Sequence, residues 1–189
     1  VQSSLSSGEC WFFWTTSYGD FLNIGPLYEY TIYDYKSRLA CTRLYNNLSI
    51  DNFEDILSAV AIPISHSLSM NPKHLCFLDD FKAKSLSLQS INQVLENNLF
   101  DISLFELSEK QSIDEINELR QSYTHGCLSY LMALLRKEES FQSIKSSLQS
   151  YVRNYNINNK QLYGEMHCSP IEYHIRSAKK DMILPLWAY

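Results

Sequence analysis

The sequence predicts one α+β domain: a mainly antiparallel, mixed sheet followed by a helical block and a closing strand. Three observations carry this. An aromatic, β-prone run at 10–16 (CWFFWTT) and two further β-rich runs at 27–35 and 39–45 all lie before residue 46. Apolar residues fall at helical spacing through much of the remainder. The 189 residues, 45% hydrophobic and 20% charged, suffice for one well-buried core.

In chain order, residues 1–8 (VQSSLSSG) read as a flexible leader, with neither the basic start nor the apolar centre of a signal peptide. Residues 9–189 form the domain, 9–107 its sheet-rich part and 108–189 a helical extension with a terminal strand. The run at 10–16 is a core strand or a wedge against one, and Gly19, Asn23, Gly25 and Pro26 punctuate the loop after it. The next two runs rejoin across Lys36-Ser37-Arg38 as a hairpin. In its first arm Tyr28, Tyr30, Ile32 and Asp34 share one face; Leu27, Glu29, Thr31, Tyr33 and Tyr35 share the other. Tyrosine on both faces leaves the core side open. Ser49 caps a helix carrying Phe53, Ile56, Leu57 and Val60, which Pro63 ends, or a short strand after it; 65–72 is a polar loop.

The stretch 74–85 (HLCFLDDFKAKS) is central. It reads as a buried strand delivering Asp79 and Asp80 to a short basic turn with Lys82 and Lys84, Ser85 capping the helix that follows. Carboxylates at a strand end over a helix N-terminus are placed for chemistry. Aspartate is equally an ordinary turn former. The helix spans 86–99 with Leu88, Ile91 and Leu95 on one face, and 101–107 reads as a strand. Ile113, Ile116 and Leu119 mark a short helix. Thr124 caps a second with Leu128, Leu131, Met132 and Leu135 inward. Phe141, Ile144, Leu148, Tyr151, Val152 and Tyr155 mark a third; 154–160 is a polar loop, and one or two strands follow from Leu162.

A net charge of −5 without a basic block argues against a nucleic-acid partner. No apolar run approaches the ~18 residues of a membrane helix. Five cysteines without a C-x-x-C pair suit reduced thiols and a cytoplasmic location.

Three segments carry a resemblance: 10–17 (CWFFWTTS), 39–52 from Leu39-Ala40-Cys41-Thr42 to Asn47-Leu48-Ser49-Ile50-Asp51-Asn52, and Cys76-Phe77-Leu78-Asp79. Together they resemble the GCN5-related N-acetyltransferase (GNAT) superfamily, and within it the bacterial toxin-activating lysine acyltransferases. The resemblance implies a split, V-shaped sheet and an acyltransferase, possibly degenerate, acting on a protein or peptide. Acyl-carrier protein or acyl-CoA would be the donor, with no resident cofactor. Asp79 would then orient a catalytic histidine, with Asp80 beside it, and Lys82, Lys84 and Ser85 would contact the donor. The sequence departs from that family at 17–21 (SYGDF), which holds no histidine, and in lacking a glycine-rich phosphate loop.

Gly8-Glu9-Cys10-Trp11 is similar to the papain-like Gly-x-Cys-Trp signature, with His167 far downstream as the base; a buried thiol explains Cys10 as well. His74 with Cys76, His125 with Cys127 and His167 with Cys168 pair metal-ligand types; on a strand His74 and Cys76 share a face and could chelate, but the spacing is not that of a structural zinc site, and no metal is assigned. The alternative of a different class is a non-catalytic protein-binding module, such as an immunity protein, an effector or a partner subunit of a modifying enzyme. It would use the aromatic sheet and the Trp187 tail as its contact surface.

Overall fold

The computed structural model describes residues 5–78, 86–107, 110–136 and 139–177. Strand β1 (Cys10–Phe21) is the sheet's centre, flanked on one side by β2 (Gly25–Asp34) and β3 (Ala40–Tyr45) and on the other by β4 (His74–Phe77) and β5 (Ser103–Leu104), in the order β3-β2-β1-β4-β5. The expected hairpin forms β2 and β3, both pairings on that side being antiparallel. The pairings β1–β4 and β4–β5 are parallel. The sheet is therefore mixed, and the carboxyl ends of β1, β4 and β5 share one edge.

Period-two alternation sorts the aromatic run onto both faces. Trp11 and Phe13 join Tyr30, Ile32, Phe53, Ile56 and Ile91 in one core; Phe12, Trp14, Tyr33, Leu44, Tyr123 and Leu148 fill a second across the sheet. Both faces are core, which is why tyrosine on each gave no side preference.

Ser49 caps α1 (Ile50–Ile56), accepting the Asn52 N–H at 3.3 Å. Pro63 does not stop the helix. The chain passes through a π-helical turn (Leu57–Ala61) into α2 (Ile62–Ser67), and Pro63 sits in the first turn of α2, where its missing N–H is tolerated. Helix α3 (Leu88–Asn97) starts at a reciprocal Ser87–Ser90 capping box and buries Ile91, Val94 and Leu95, while Leu88 is exposed. The strand expected over 101–107 shrinks to the two residues of β5.

Residues 110–135 are one helix, α4 (Lys110–Leu135), not two. The helix runs through Thr124, whose hydroxyl is buried and, among the described residues, caps nothing. Helix α5 (Phe141–Asn158) absorbs most of the expected polar loop at 154–160. Strands β6 (Gln161–Tyr163) and β7 (Met166–Cys168), the strands expected from Leu162, pair with each other as a small hairpin, and α6 (Pro170–Ser177) follows. Among the described residues no helix is long and apolar enough to cross a membrane.

Candidate functional site

Where a sheet's parallel strands end together, the loops and helices beyond them open a crevice. Here that edge carries two adjoining grooves. One, of about 470 Å³, is walled by Cys76–Leu78 at the end of β4, by Leu86–Leu88 entering α3, by Glu106 and Leu107, and by Ile113, Asn117 and Arg120 of α4. The other, of about 710 Å³, runs from Thr16 on β1 along Asn117, Arg120, Gln121, Thr124, His125 and Leu128. Asn117 and Arg120 line both. The α4 positions recur at i, i+3, i+4, i+7 and i+8, a single polar stripe along one side of the helix.

Arg120 is held against the sheet. Its Nη2 donates to the Thr15 carbonyl at 3.3 Å, and its guanidinium lies 6.0 Å from the Trp14 ring. Trp14 is wholly buried, and among the described residues its Nε1 and the Thr124 hydroxyl are buried without a hydrogen-bond partner. Behind the seam, Glu29 on β2 accepts from the Tyr18 hydroxyl and, at 2.8 Å, from Thr31. Thr31 continues through Thr42 (2.9 Å) to the Tyr123 hydroxyl on α4 (2.6 Å). Burial pushes the Glu29 carboxyl up, against those hydrogen bonds and the Arg120 charge. That acid is stored inside the fold rather than presented to a groove.

Asp79, Asp80, Lys82, Lys84 and Ser85 lie outside the described residues; the described residues on either side, Leu78 and Leu86, both line the first groove. Cys10 is buried at the start of β1, and burial, with Asp34 nearby, pushes its thiol up to about 12. His167 is exposed on β7, in the separate hairpin. His74 meets the Ser103 hydroxyl at 3.0 Å, and Cys76 is buried. Among the described residues no three His, Cys, Asp or Glu side chains gather as a metal site would require. The stripe went unread in the sequence because it runs across Thr124, where the helix was expected to break; polar residues from Asn117 to His125 at helical spacing were its signal.

No family model matches the sequence, and no curated protein matches it. Solved structures do. The chain is similar to a chain in the structure of the simian T-cell lymphotropic virus intasome in complex with the PP2A regulatory subunit B56 gamma, with TM-score 0.64, 11% identity, and 90% of this chain against 55% of that one. It thus spans about half of that chain. It covers nearly all of two isolated integrase catalytic cores. One, from HTLV-2 in complex with magnesium, gives TM-score 0.61, 11% identity, and 90% of this chain against 97% of that one. The other, from BIV, gives 0.60, 11% identity, and 91% against 97%. The fold is that of a retroviral integrase catalytic core, an RNase H-like sheet with its helices.

This overturns the acyltransferase reading, the GNAT resemblance and the toxin association. The hairpin, capped helix and strand ending near Asp79 gave a local order that resembles that superfamily. The parallel β1–β4 pairing, invisible in local sequence, sets a different architecture. The alternative of an immunity protein, effector or partner subunit gains no support from these neighbours either.

Proposed function

We propose that the chain is an integrase-core-like domain that binds nucleic acid along the polar side of α4. The observation that carries this is the stripe Asn117, Arg120, Gln121, Thr124 and His125 at the carboxyl edge of the parallel strands. Amides, hydroxyls and a guanidinium are the groups that meet phosphate and sugar. The fold likeness supports it, since one of the chains it resembles belongs to an intasome and others are integrase catalytic cores. The net charge of −5 belongs to the whole chain, whereas a phosphate backbone meets the local surface, where Arg120 stands in both grooves.

Magnesium, which one neighbour carries, does not fit the described part of this edge. Glu106 is the single carboxylate among its described lining residues, with the Arg120 guanidinium in the same groove. The β1 residues that meet Arg120 or line the second groove are Trp14, Thr15 and Thr16. Metal ligation needs several oxygen donors free of a competing cation, so no metal-dependent step follows from these residues and the reading is one of binding.

Anisotropy of fluorescein-labelled duplex and single-stranded DNA, titrated across a salt series, tests it. Log affinity is expected to fall linearly with log salt, and Arg120→Gln to lower that slope by about 1. Gln121→Ala with His125→Ala, both exposed positions, is expected to weaken binding without touching the fold. No detectable binding by folded protein overturns the reading. Cleaved strand on a denaturing gel after incubation with magnesium would replace a binding domain with a nuclease and bring Asp79 and Asp80 into the chemistry.

A further inference from the structure

A second cavity, of about 280 Å³, lies on the other flank of α4. Tyr33 of β2, Ser122, Tyr123 and Gly126 of α4, and Tyr151 and Tyr155 of α5 line it, and Arg38, Asn159 and Gln161 close it. Its size is near the lower end of ligand pockets, room for one small molecule and too little for a duplex. With 3.6 residues per turn, its α4 residues lie about 180° around the helix from the Asn117–His125 stripe. It is a separate site and does not rest on the DNA-binding reading.

Three features mark it as built. Arg38 is the one charged residue among the described lining residues, and it is fixed in direction. Its guanidinium donates to Gln161 Oε1 at 3.3 Å and to the Leu162 carbonyl at 3.2 Å, and lies over the Tyr163 ring at 4.6 Å. Its backbone sits at φ 58°, the left-handed region a non-glycine residue adopts only when its surroundings hold it there. Second, the walls are tyrosine. Tyr123 meets Tyr155 edge-on at 4.9 Å and Tyr33 at 5.7 Å, and Gln161 Nε2 donates to the Tyr155 hydroxyl at 2.8 Å. Third, α4 gives up a side chain here. A Cβ at Gly126 would stand 2.6 Å from the Tyr151 hydroxyl, so the glycine keeps the opening that a better helix former would fill.

Aromatic walls stack planar rings, and an anchored guanidinium without a carboxylate beside it takes an anion. The Ser122 hydroxyl and the Asn159 amide offer the mixed donors and acceptors that a base edge presents in return. We propose that this cavity binds one mononucleotide, free or at a strand end, with its base among the tyrosines and its phosphate on Arg38.

Isothermal titration of the whole chain with AMP, CMP, GMP and UMP tests this, with adenosine and inorganic phosphate as controls. Saturable one-to-one binding is expected for at least one nucleotide, at least tenfold tighter than for the matching nucleoside or phosphate alone. Arg38→Gln is expected to erase the nucleotide-over-nucleoside preference. Gly126→Ala, which favours the helix, is expected to weaken nucleotide binding at least tenfold by driving Tyr151 into the cavity. A 5′-phosphorylated trinucleotide binding more tightly than the mononucleotide assigns the strand end; equal or weaker binding assigns the free nucleotide. The proposal is overturned by any of three results: no binding to folded wild type, phosphate alone binding as well as nucleotide, or a preference that both variants leave intact.

Discussion

Asn156, buried on α5, clasps Ala40 at the start of β3: its Nδ2 donates to the Ala40 carbonyl at 2.8 Å, and its Oδ1 accepts the Ala40 N–H at 2.9 Å. β3 is an edge strand, and an edge leaves main-chain groups without a ladder partner. One carboxamide supplies both halves of the missing pair. Asn156→Ala leaves a buried donor and a buried acceptor unmet, an expected loss of about 2–4 kcal/mol in urea unfolding. Asn156→Asp, equal in shape but with no donor, is expected to destabilise as well. A variant within error of wild type would show that the clasp contributes nothing.

Glu29 makes stability depend on pH in a direction unusual for an acid. Burial raises its folded pKa above the ordinary 4.5, so the folded chain keeps a proton that the unfolded chain has released. That contribution is complete below the ordinary value and is lost as pH rises through the folded one. Asp34, also buried and raised, acts in the same sense. Melting temperatures from ~pH 4 to ~pH 8 should show wild type losing more stability than Glu29→Gln as pH rises. Parallel curves would place the Glu29 proton outside the folding equilibrium.

The start of α1 is held by two side chains. Ser49 accepts the Asn52 N–H, while the Tyr30 hydroxyl accepts the Ser49 N–H at 2.9 Å and donates to the Ser49 carbonyl at 3.2 Å. Ser49→Ala and Tyr30→Phe are each expected to cost about 1 kcal/mol. Being neighbours on one cap, they should combine non-additively in a double-mutant cycle. Simple addition would mean two independent contacts.

All five cysteines are free and buried. Burial lifts the Cys10 and Cys41 thiols to about 12 and Cys76 to about 11. Alkylation by iodoacetamide at neutral pH should therefore be slow in the native chain and complete at five sites in denaturant. Rapid native labelling of Cys10 would restore its candidacy as a nucleophile.

What could be read from sequence was what is decided within a few residues. The hairpin across Lys36-Ser37-Arg38, the Ser49 cap, the strand at His74–Phe77 and the apolar stripe of α5 all emerged with the expected character. What could not be read depends on distant partners. The parallel pairing of Trp11 with Leu75 joins residues with no local signal for each other. Pro63 spoke of an ending, yet the π-helical turn ahead of it lets the chain continue. Thr124-His125-Gly126 looked like a fresh helix start, and that reading split the stripe of the first site and hid the glycine of the second. The tyrosine cavity assembles Tyr33, Arg38, Tyr123, Tyr151 and Gln161, which only the packed fold brings together.

The unbroken α4, 26 residues and about 39 Å long, has a mechanical meaning. It works as an axle with a different tool ruled on each side. A roll of this helix that moved the Asn117–His125 side one way would turn the Ser122–Gly126 side through the same angle and carry it the other way. A roll of that kind would couple the two openings. Whatever one ligand gains or loses from such a roll in the presence of the other, the other must gain or lose in equal measure.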